Sequence, residues 1–145
     1  MRHKKYPFIL ALLCIALLLC GQGFSQESPP SGPGAAAEKP TLAQASMCAS
    51  LKEGSHCNAA VVFPVNQGRV LCFSSFDPVP RKTSIFHSWY HRDVLITRQK
   101  LTLNPPRWST YSSVQLRESD KGAWRVEITD QDERLLEVLR FSITD

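Results

Sequence analysis

Apolar and polar residues alternate with a period of two along most of the chain beyond residue 68. Alternation of this kind is typical of half-buried β-strands, and it predicts strands over 69–76, 84–91, 94–103, 112–116, 123–129 and 135–143. A weaker pattern over 61–65 predicts an edge strand, and His91-Arg92-Asp93 is typical of a tight hairpin turn. Six or seven short strands in about 100 residues predict an all-β fold, a small antiparallel β-sandwich of the immunoglobulin-like type. Leu42, Ala45 and Ala49 also have helical spacing, which allows one short N-terminal helix over 42–51.

The first 25 residues have the organisation of a secretory signal peptide. Three basic residues precede an apolar run of 13 residues, Phe8 to Cys20, and Gly23-Phe24-Ser25 places small residues where a signal peptidase reads them. We therefore expect export to the periplasm or cell envelope, with cleavage after Ser25. An uncleaved anchor and a lipidated cysteine are the alternatives. Lipidation is disfavoured because leucine, not a small residue, precedes each cysteine of the run.

Residues 26–44 differ in composition from the rest of the chain. They contain four prolines together with glycine, alanine and serine, and offer almost no side chain that could enter a core. This composition predicts a disordered, semi-extended tether. The folded part is then a single domain over 45–145.

The net charge depends strongly on the signal segment. The whole chain has 17 basic and 13 acidic residues; residues 1–25 contain three basic and no acidic ones, so the remainder is 14 against 13, a net charge of +1. A nearly neutral exported chain is a poor candidate for nucleic-acid binding. We expect an envelope glycan or an envelope protein as partner, and no membrane contact beyond the signal segment.

An odd number of cysteines follows the signal segment: Cys48, Cys57 and Cys72. In an oxidising compartment one disulfide and one remaining thiol are expected. A Cys48–Cys72 bridge would close a loop of about 24 residues and stabilise the fold by about 3 kcal/mol, whereas a Cys48–Cys57 bridge would contribute less. The spacing leaves the pairing open, and burial is the favoured fate of the third cysteine.

Three blocks of residues resemble a known family. The blocks His87-Ser88-Trp89-Tyr90, Trp108-Ser109-Thr110-Tyr111-Ser112 and Gly122-Ala123-Trp124-Arg125-Val126 occur in that order. They resemble the bacterial family called domain of unknown function 2914, and the resemblance extends over about residues 47–143. It implies a small exported or envelope-attached β domain and implies no activity.

The resemblance also bears on individual positions. It implies a Cys48–Cys72 disulfide, because those two positions match the family pattern and Cys57 does not. Ser109 stands where the family usually has arginine, and Glu133 stands where its last turn usually has glycine. The second departure predicts a slightly different final hairpin.

The residues that could support catalysis or metal binding are poorly arranged for either. His87 and His91 would lie about 13 Å apart along a strand, too far for one metal ion. His56 and Cys57 are adjacent, which suits a joint site poorly, and the acidic turn at 130–133 lacks a full set of calcium ligands. We expect no enzyme, no catalytic residues, no metal and no cofactor.

Aromatic and arginine residues within the three blocks are the better candidates for function. Trp89 and Trp124 alternate with apolar neighbours and are expected in the core. Arginine beside an exposed aromatic ring suits carboxylate or phosphate groups on a glycan, or an acidic protein surface. The predicted ligand-binding patch therefore comprises Tyr90, Arg92, Arg98, Arg107 and Trp108. The alternative is a structural or accessory subunit of an envelope assembly, joined to its partner by strand pairing at the 61–65 edge.

Overall fold

Two β-sheets packed face to face make up the described part of the chain. The structure is a computed structural model that describes residues 39–52 and 56–145. The nine strands within these residues are β1 (Leu42–Lys52), β2 (His56–Ala59), β3 (Val62–Pro64), β4 (Arg69–Phe76), β5 (Thr83–His91), β6 (Val94–Leu103), β7 (Trp108–Gln115), β8 (Gly122–Asp130) and β9 (Leu135–Thr144). The four-stranded sheet has the order β2-β1-β4-β7, and the five-stranded sheet has the order β3-β9-β8-β5-β6.

The predicted all-β sandwich is confirmed, with more strands than expected. The alternation located β4 to β9 to within a few residues, and the weak pattern at 61–65 is the edge strand β3. The two strands that the alternation missed are β1 and β2. Pairing is antiparallel except between β3 and β9, which run parallel.

The segment 42–51 is a strand, so the helix considered for it was wrong. β1 pairs with β4, Met47 opposite Cys72, and every second side chain of β1 then faces the core. The hydrogen bonds and apolar contacts that β4 supplies outweigh the helix preference of the alanines. The strand already includes 42–44, which the tether prediction had placed outside the fold. Residues 39–41 of the predicted tether are also described, and the N–H of Thr41 donates to the carbonyl of Pro78 at 3.1 Å. Residues 26–38 of the tether and the predicted signal peptide, 1–25, lie outside the described residues.

The disulfide joins Cys48 to Cys57, with their Cα atoms 5.5 Å apart, so the predicted Cys48–Cys72 pair was wrong. The reason is the pleat of the four-stranded sheet. Cys48 lies opposite Leu71, the neighbour of Cys72, so the two cysteines point to opposite faces. Cys72 enters the main core, while Cys48 packs with Leu71 on the other face. Burial raises the pKa of the Cys72 thiol to about 12, which makes it unreactive.

The side chains that alternate inward from the two sheets form the main core. Trp89 and Trp124 are buried there, as predicted, and the Phe141 ring lies 6.1 Å and 6.0 Å from theirs. These aromatic contacts bring β5, β8 and β9 together at one end of the sandwich.

A buried polar cluster bridges the two sheets at the centre of this core. The His87 ring, from β5, has Ser74 Oγ 3.0 Å from Nε2 and Ser112 Oγ 2.7 Å from Nδ1. Trp89 Nε1 also donates to Ser112 Oγ at 3.0 Å. Ser74 and Ser112 belong to the four-stranded sheet, so each ring nitrogen of His87 has a partner across the sandwich. Burial lowers the pKa of His87 to about 4, and the ring is neutral at pH 7.

We expect acid to destabilise this fold through His87 in a defined pH window. The folded pKa lies below the unfolded value of 6.5, so the unfolded state binds more protons between pH 6.5 and 4. The free energy of unfolding should therefore fall by about 3 kcal/mol across that window, as measured by urea denaturation at each pH. His87→Gln should flatten this dependence. NMR of the His87 ring checks the wild type directly, and protonation near pH 6.5 in the folded state would contradict the prediction.

The disulfide assignment predicts which cysteine controls stability. Cys57→Ser should lower the free energy of unfolding by about 2.5 kcal/mol, because it removes the constraint on a short loop of the unfolded chain. Cys72→Ala is the matched control and should leave the Cys48–Cys57 link intact in non-reducing peptide mapping. A map that joins Cys48 to Cys72 would overturn the assignment.

Candidate functional site

The five residues of the predicted patch do not come together. Tyr90, Arg92 and Arg98 belong to β5, β6 and the turn that joins them, in the five-stranded sheet. Arg107 and Trp108 lie at the start of β7, in the four-stranded sheet. The sandwich therefore offers two separate candidate surfaces.

One row of residues crosses the outer face of the five-stranded sheet. Leu95 of β6 pairs with Tyr90 of β5, Tyr90 pairs with Arg125 of β8, and Arg125 pairs with Arg140 of β9. Residues directly opposite each other on neighbouring strands share a face. The row therefore passes from an apolar side chain at the sheet edge, through an aromatic ring, to two arginines.

The Tyr90 ring and the Arg125 guanidinium are in direct contact. The guanidinium carbon lies 4.1 Å from the ring centroid, which is cation–π geometry. Arg125 Nε donates to Glu127 at 2.9 Å, and Arg125 Nη1 donates to Asp93 in the hairpin turn. The hydrogen bond to Glu127 is the main cause that raises the pKa of Arg125. These contacts hold the guanidinium flat against the ring.

The turn between β5 and β6 is the tight hairpin that the sequence predicted, and it brings Arg92 beside this row. Both turn residues have left-handed backbone, Arg92 with φ 47° and Asp93 with φ 67°. Two-residue hairpin turns of this type favour Asn and Gly, so arginine at the first position is sterically unfavourable. Its side chain is fixed by a 3.2 Å hydrogen bond from Nη2 to the carbonyl of Lys121.

Gly122 provides the space that Arg92 occupies. A Cβ at this glycine would lie 3.3 Å from Arg92 Nε and 3.6 Å from His91 Nε2, and its φ of 121° already disfavours other residues. The His91 ring stacks on Trp124 at 4.7 Å and donates to the Lys121 carbonyl at 3.1 Å. His91 is thus part of the support for the turn.

These residues surround a shallow pocket of about 180 Å³. We call its four principal side chains, Tyr90, Arg92, Arg125 and Arg140, the arginine site. Asp93 is the one acid among the residues that line it. Within the described residues, Arg140 and Arg92 form no ion pair with an acidic side chain. The pocket therefore presents guanidinium groups that remain available to an anion.

The second surface is a pocket of about 390 Å³ beside Arg107 and Trp108. Its other lining residues include Ser75, Ser109 and Asp77, and the Trp108 ring is partly exposed. One arginine and one acid line it, so it has no charge preference comparable to that of the arginine site.

Arg98 lies beside the first surface but outside the arginine site. Its guanidinium carbon is 4.0 Å from the Phe86 centroid, and it donates to Glu133 at 3.0 Å. Glu133 has φ 63°, a conformation that glycine adopts without steric cost. The turn therefore keeps a glycine-like backbone, and the glutamate side chain supplies the ion pair with Arg98.

The acidic turn at 130–133 has a structural role. The Asp130 carboxylate is buried and accepts from the backbone N–H groups of Asp132 and Arg134, each at 2.9 Å. Burial raises the pKa of Asp130, but those two hydrogen bonds and the charges of Lys39 and Arg134 lower it more, so the net shift is downward. In the described parts of the chain, no group of three His, Cys, Asp or Glu side chains is arranged to hold a metal ion.

Sequence reasoning missed Arg125 and Arg140. Both lie in the region 118–145, where eight acidic residues outnumber four basic ones. The alternation of β8 did place Arg125 on the polar face, opposite Trp124 and Val126. Only the register of β5, β8 and β9 shows that these arginines lie beside Tyr90.

Comparisons with known proteins find a family match over part of the chain. Residues 82–143 match the model of the family described as "Protein of unknown function (DUF2914)", which confirms the resemblance. A search of curated proteins found no match. A crystal structure of Se-Met labelled β-glucosidase from Kluyveromyces marxianus aligns with a TM-score of 0.40 and 9% identity, over 70% of this chain and 14% of that one. None of the helices in the described residues is long and apolar enough to span a membrane.

The positive φ of Arg92 in the β5–β6 turn predicts that asparagine stabilises the protein there, whereas the same substitution at Arg98 destabilises it. Arg92→Asn should raise the free energy of unfolding by up to about 1 kcal/mol, because asparagine tolerates positive φ better than arginine does. Thermal and urea denaturation measure the change. The matched control is Arg98→Asn, at a β-strand position, which should lower the melting temperature. A loss of stability in Arg92→Asn would show that the arginine is held for structural reasons.

Proposed function

We propose that this domain, whose residues 82–143 match the DUF2914 family model, is a non-catalytic binding module that takes an anionic ligand at the arginine site. The proposal fits an exported protein at the cell envelope. The ligand class we favour is a glycan that bears carboxylate or phosphate groups.

The observation that carries the proposal is the cross-strand pair of Arg125 and Arg140. Like charges directly opposite each other in a sheet destabilise it. Arg125 is partly neutralised by Glu127 and Asp93, whereas Arg140 has no such partner among the described residues. An anion between these guanidinium groups and Arg92 would relieve the repulsion and accept several charge-assisted hydrogen bonds.

The Tyr90 ring supports a sugar-bearing ligand over a bare ion. Its outer-face position beside the pocket gives an apolar surface next to the cationic groups. Aromatic rings pack against the C–H faces of pyranose rings in the same way as they pack against other apolar groups. Arginine would recognise the acidic substituent while Tyr90 contacts the ring that carries it.

We propose a non-catalytic role because the histidine, serine and cysteine side chains that could act as nucleophile or base are buried or joined in a disulfide. His87 and the two serines that contact it, Ser74 and Ser112, are all buried between the sheets. Cys72 is buried, and Cys48 and Cys57 are joined to each other. No substrate can approach these groups without opening the core.

A second candidate is the accessory subunit joined by strand pairing. β3 is an edge strand, and exposed apolar side chains at Val62 and at the preceding Val61 could contact an added strand. Its length of three residues and the missing N–H of Pro64 limit the hydrogen bonds it can supply. We therefore rank this function below anion binding.

Co-sedimentation with purified cell-wall sacculi tests the proposed function. The protein is the chain from residue 26 onward, the form expected after signal cleavage; all nine strands lie within it. We expect pelleting that weakens with salt and falls about tenfold in Arg92→Asn/Arg140→Gln, which removes two charge-assisted contacts. Arg69→Gln, an exposed arginine on the other sheet, is the matched control and should pellet as the wild type does.

The outcomes separate the two candidates. Equal pelleting of the double variant would exclude the arginine site as the wall-binding surface. Capture of an envelope protein that is insensitive to salt and lost in Val62→Pro would favour strand pairing at β3.

A further inference from the structure

Three consecutive apolar side chains are exposed where β6 leaves the hairpin turn. Val94, Leu95 and Ile96 are 62%, 50% and 52% exposed, and we call them the apolar tip. Alternation should bury every second residue of a strand on a sandwich. A run of three exposed apolar residues therefore marks an interaction surface.

A β-bulge produces this run. Trp89 pairs with Thr97 and Tyr90 pairs with Leu95, so Ile96 has no partner on β5. Bulges redirect side chains at sheet edges. The rest of β6 follows the usual pattern, with Arg98 and Lys100 on its outer face. Charged residues of that kind protect an edge strand from pairing, and the apolar tip is the part left unprotected.

Cationic side chains lie on both sides of the apolar tip, and the nearby acids Asp93 and Glu133 form ion pairs with Arg125 and Arg98. Arg92 is two residues before Val94, and Arg98 is two residues after Ile96. On the outer face, Leu95 adjoins Tyr90, and the row continues to Arg125 and Arg140. Four strands about 4.8 Å apart place Arg140 roughly 15 Å from Leu95. Apolar and cationic groups thus share one end of the five-stranded sheet.

We propose that the apolar tip docks on a phospholipid bilayer that contains anionic lipid, with the arginine site taking the phosphate groups of the lipids beside it. Apolar side chains entering the acyl boundary and arginines at headgroup level are the two halves of interfacial membrane binding. The part of this inference that concerns the arginine site rests on the proposed function, and here the anion is the phosphate group of a lipid. The sequence predicted no membrane contact beyond the signal segment, and the bulge is the feature it did not reveal.

The charges favour a lipid surface over a second copy of the chain. Two copies that met through the apolar tip would bring Arg92, Arg98 and Lys100 of each toward those of the other. An anionic bilayer provides the opposite charge over its whole area. It also accepts three apolar side chains at an edge without requiring a matching pocket.

Vesicle flotation tests the inference on the chain from residue 26 onward. We expect it to float with an equal mixture of phosphatidylcholine and phosphatidylglycerol, and not with phosphatidylcholine alone. Leu95→Ser/Ile96→Ser should lower the partition coefficient at least about tenfold, since it removes two side chains from the acyl boundary. The matched control is Val61→Ser/Val62→Ser, which removes two side chains of 67% and 54% exposure from the opposite edge strand region and should float as the wild type does.

Loss of flotation in the serine variant could also come from misfolding, so a second variant is chosen that should increase a fluorescence signal. Leu95→Trp should float at least as well as the wild type and show added fluorescence quenching by brominated acyl chains. Equal quenching in Leu95→Trp and the wild type would mean that the apolar tip does not enter the bilayer. Equal flotation of Leu95→Ser/Ile96→Ser and the wild type would overturn the inference in the same way.

Two further measurements separate this inference from the function it rests on. If sacculi bind through the arginine site but vesicles do not, the lipid inference fails and the proposed function stands. If neither binds, both fail. A wild-type dimer by light scattering that becomes a monomer in Leu95→Ser/Ile96→Ser would assign the apolar tip to a second copy and overturn the lipid inference.

Discussion

The register between β5 and β8 is the constraint on which the rest of the structure depends. With Trp89 opposite Val126 and Tyr90 opposite Arg125, neighbouring residues of one strand serve two different purposes. Trp89 closes the core, and Tyr90 faces outward beside the arginines. A slip of one residue would exchange the two faces, bury Arg125 and expose the tryptophan. The core and the candidate site are therefore fixed by the same hydrogen-bonded pairs.

His87 of β5 fixes the position of this sheet relative to the other one. Its ring reaches Ser74 and Ser112 of the four-stranded sheet, and Trp89 shares the second of these partners. Hydrogen bonds depend on distance and direction much more sharply than apolar contacts do. The polar cluster thus aligns the two sheets, whereas the surrounding apolar contacts supply most of the cohesion.

Much of the fold could be predicted from the sequence, because period-two alternation reports directly on which face of a strand is buried. It located β4 to β9, the hairpin turn and the buried Trp89 and Trp124. It failed for β1, whose alanines and serines carry little apolar contrast. The disulfide was predicted wrongly for a different reason: the family resemblance implied Cys48–Cys72, whereas the pleat of the sheet turns Cys72 toward the core.

The candidate site was harder to predict than the fold, for a physical reason. Tyr90 and Arg92 are close in the sequence, but Arg125 and Arg140 join them only through pairing across three strands. Arg107 and Trp108 satisfied the same local criterion and lie on the other sheet. The local sequence identifies residue types that suit a binding site, but the pairing of strands in the folded sheet determines which of those residues are neighbours.

The place of β9 in the five-stranded sheet has a consequence for how the chain folds. It is the last strand in chain order, yet it lies between β3 and β8. Until β9 arrives, β3 has no neighbour in the sheet, and Phe141 and Ile143 are missing from the core. Contacts this distant in sequence form late and slowly. The docking of β3 and the completion of the core by Phe141 and Ile143 must therefore wait until β9 has been synthesised.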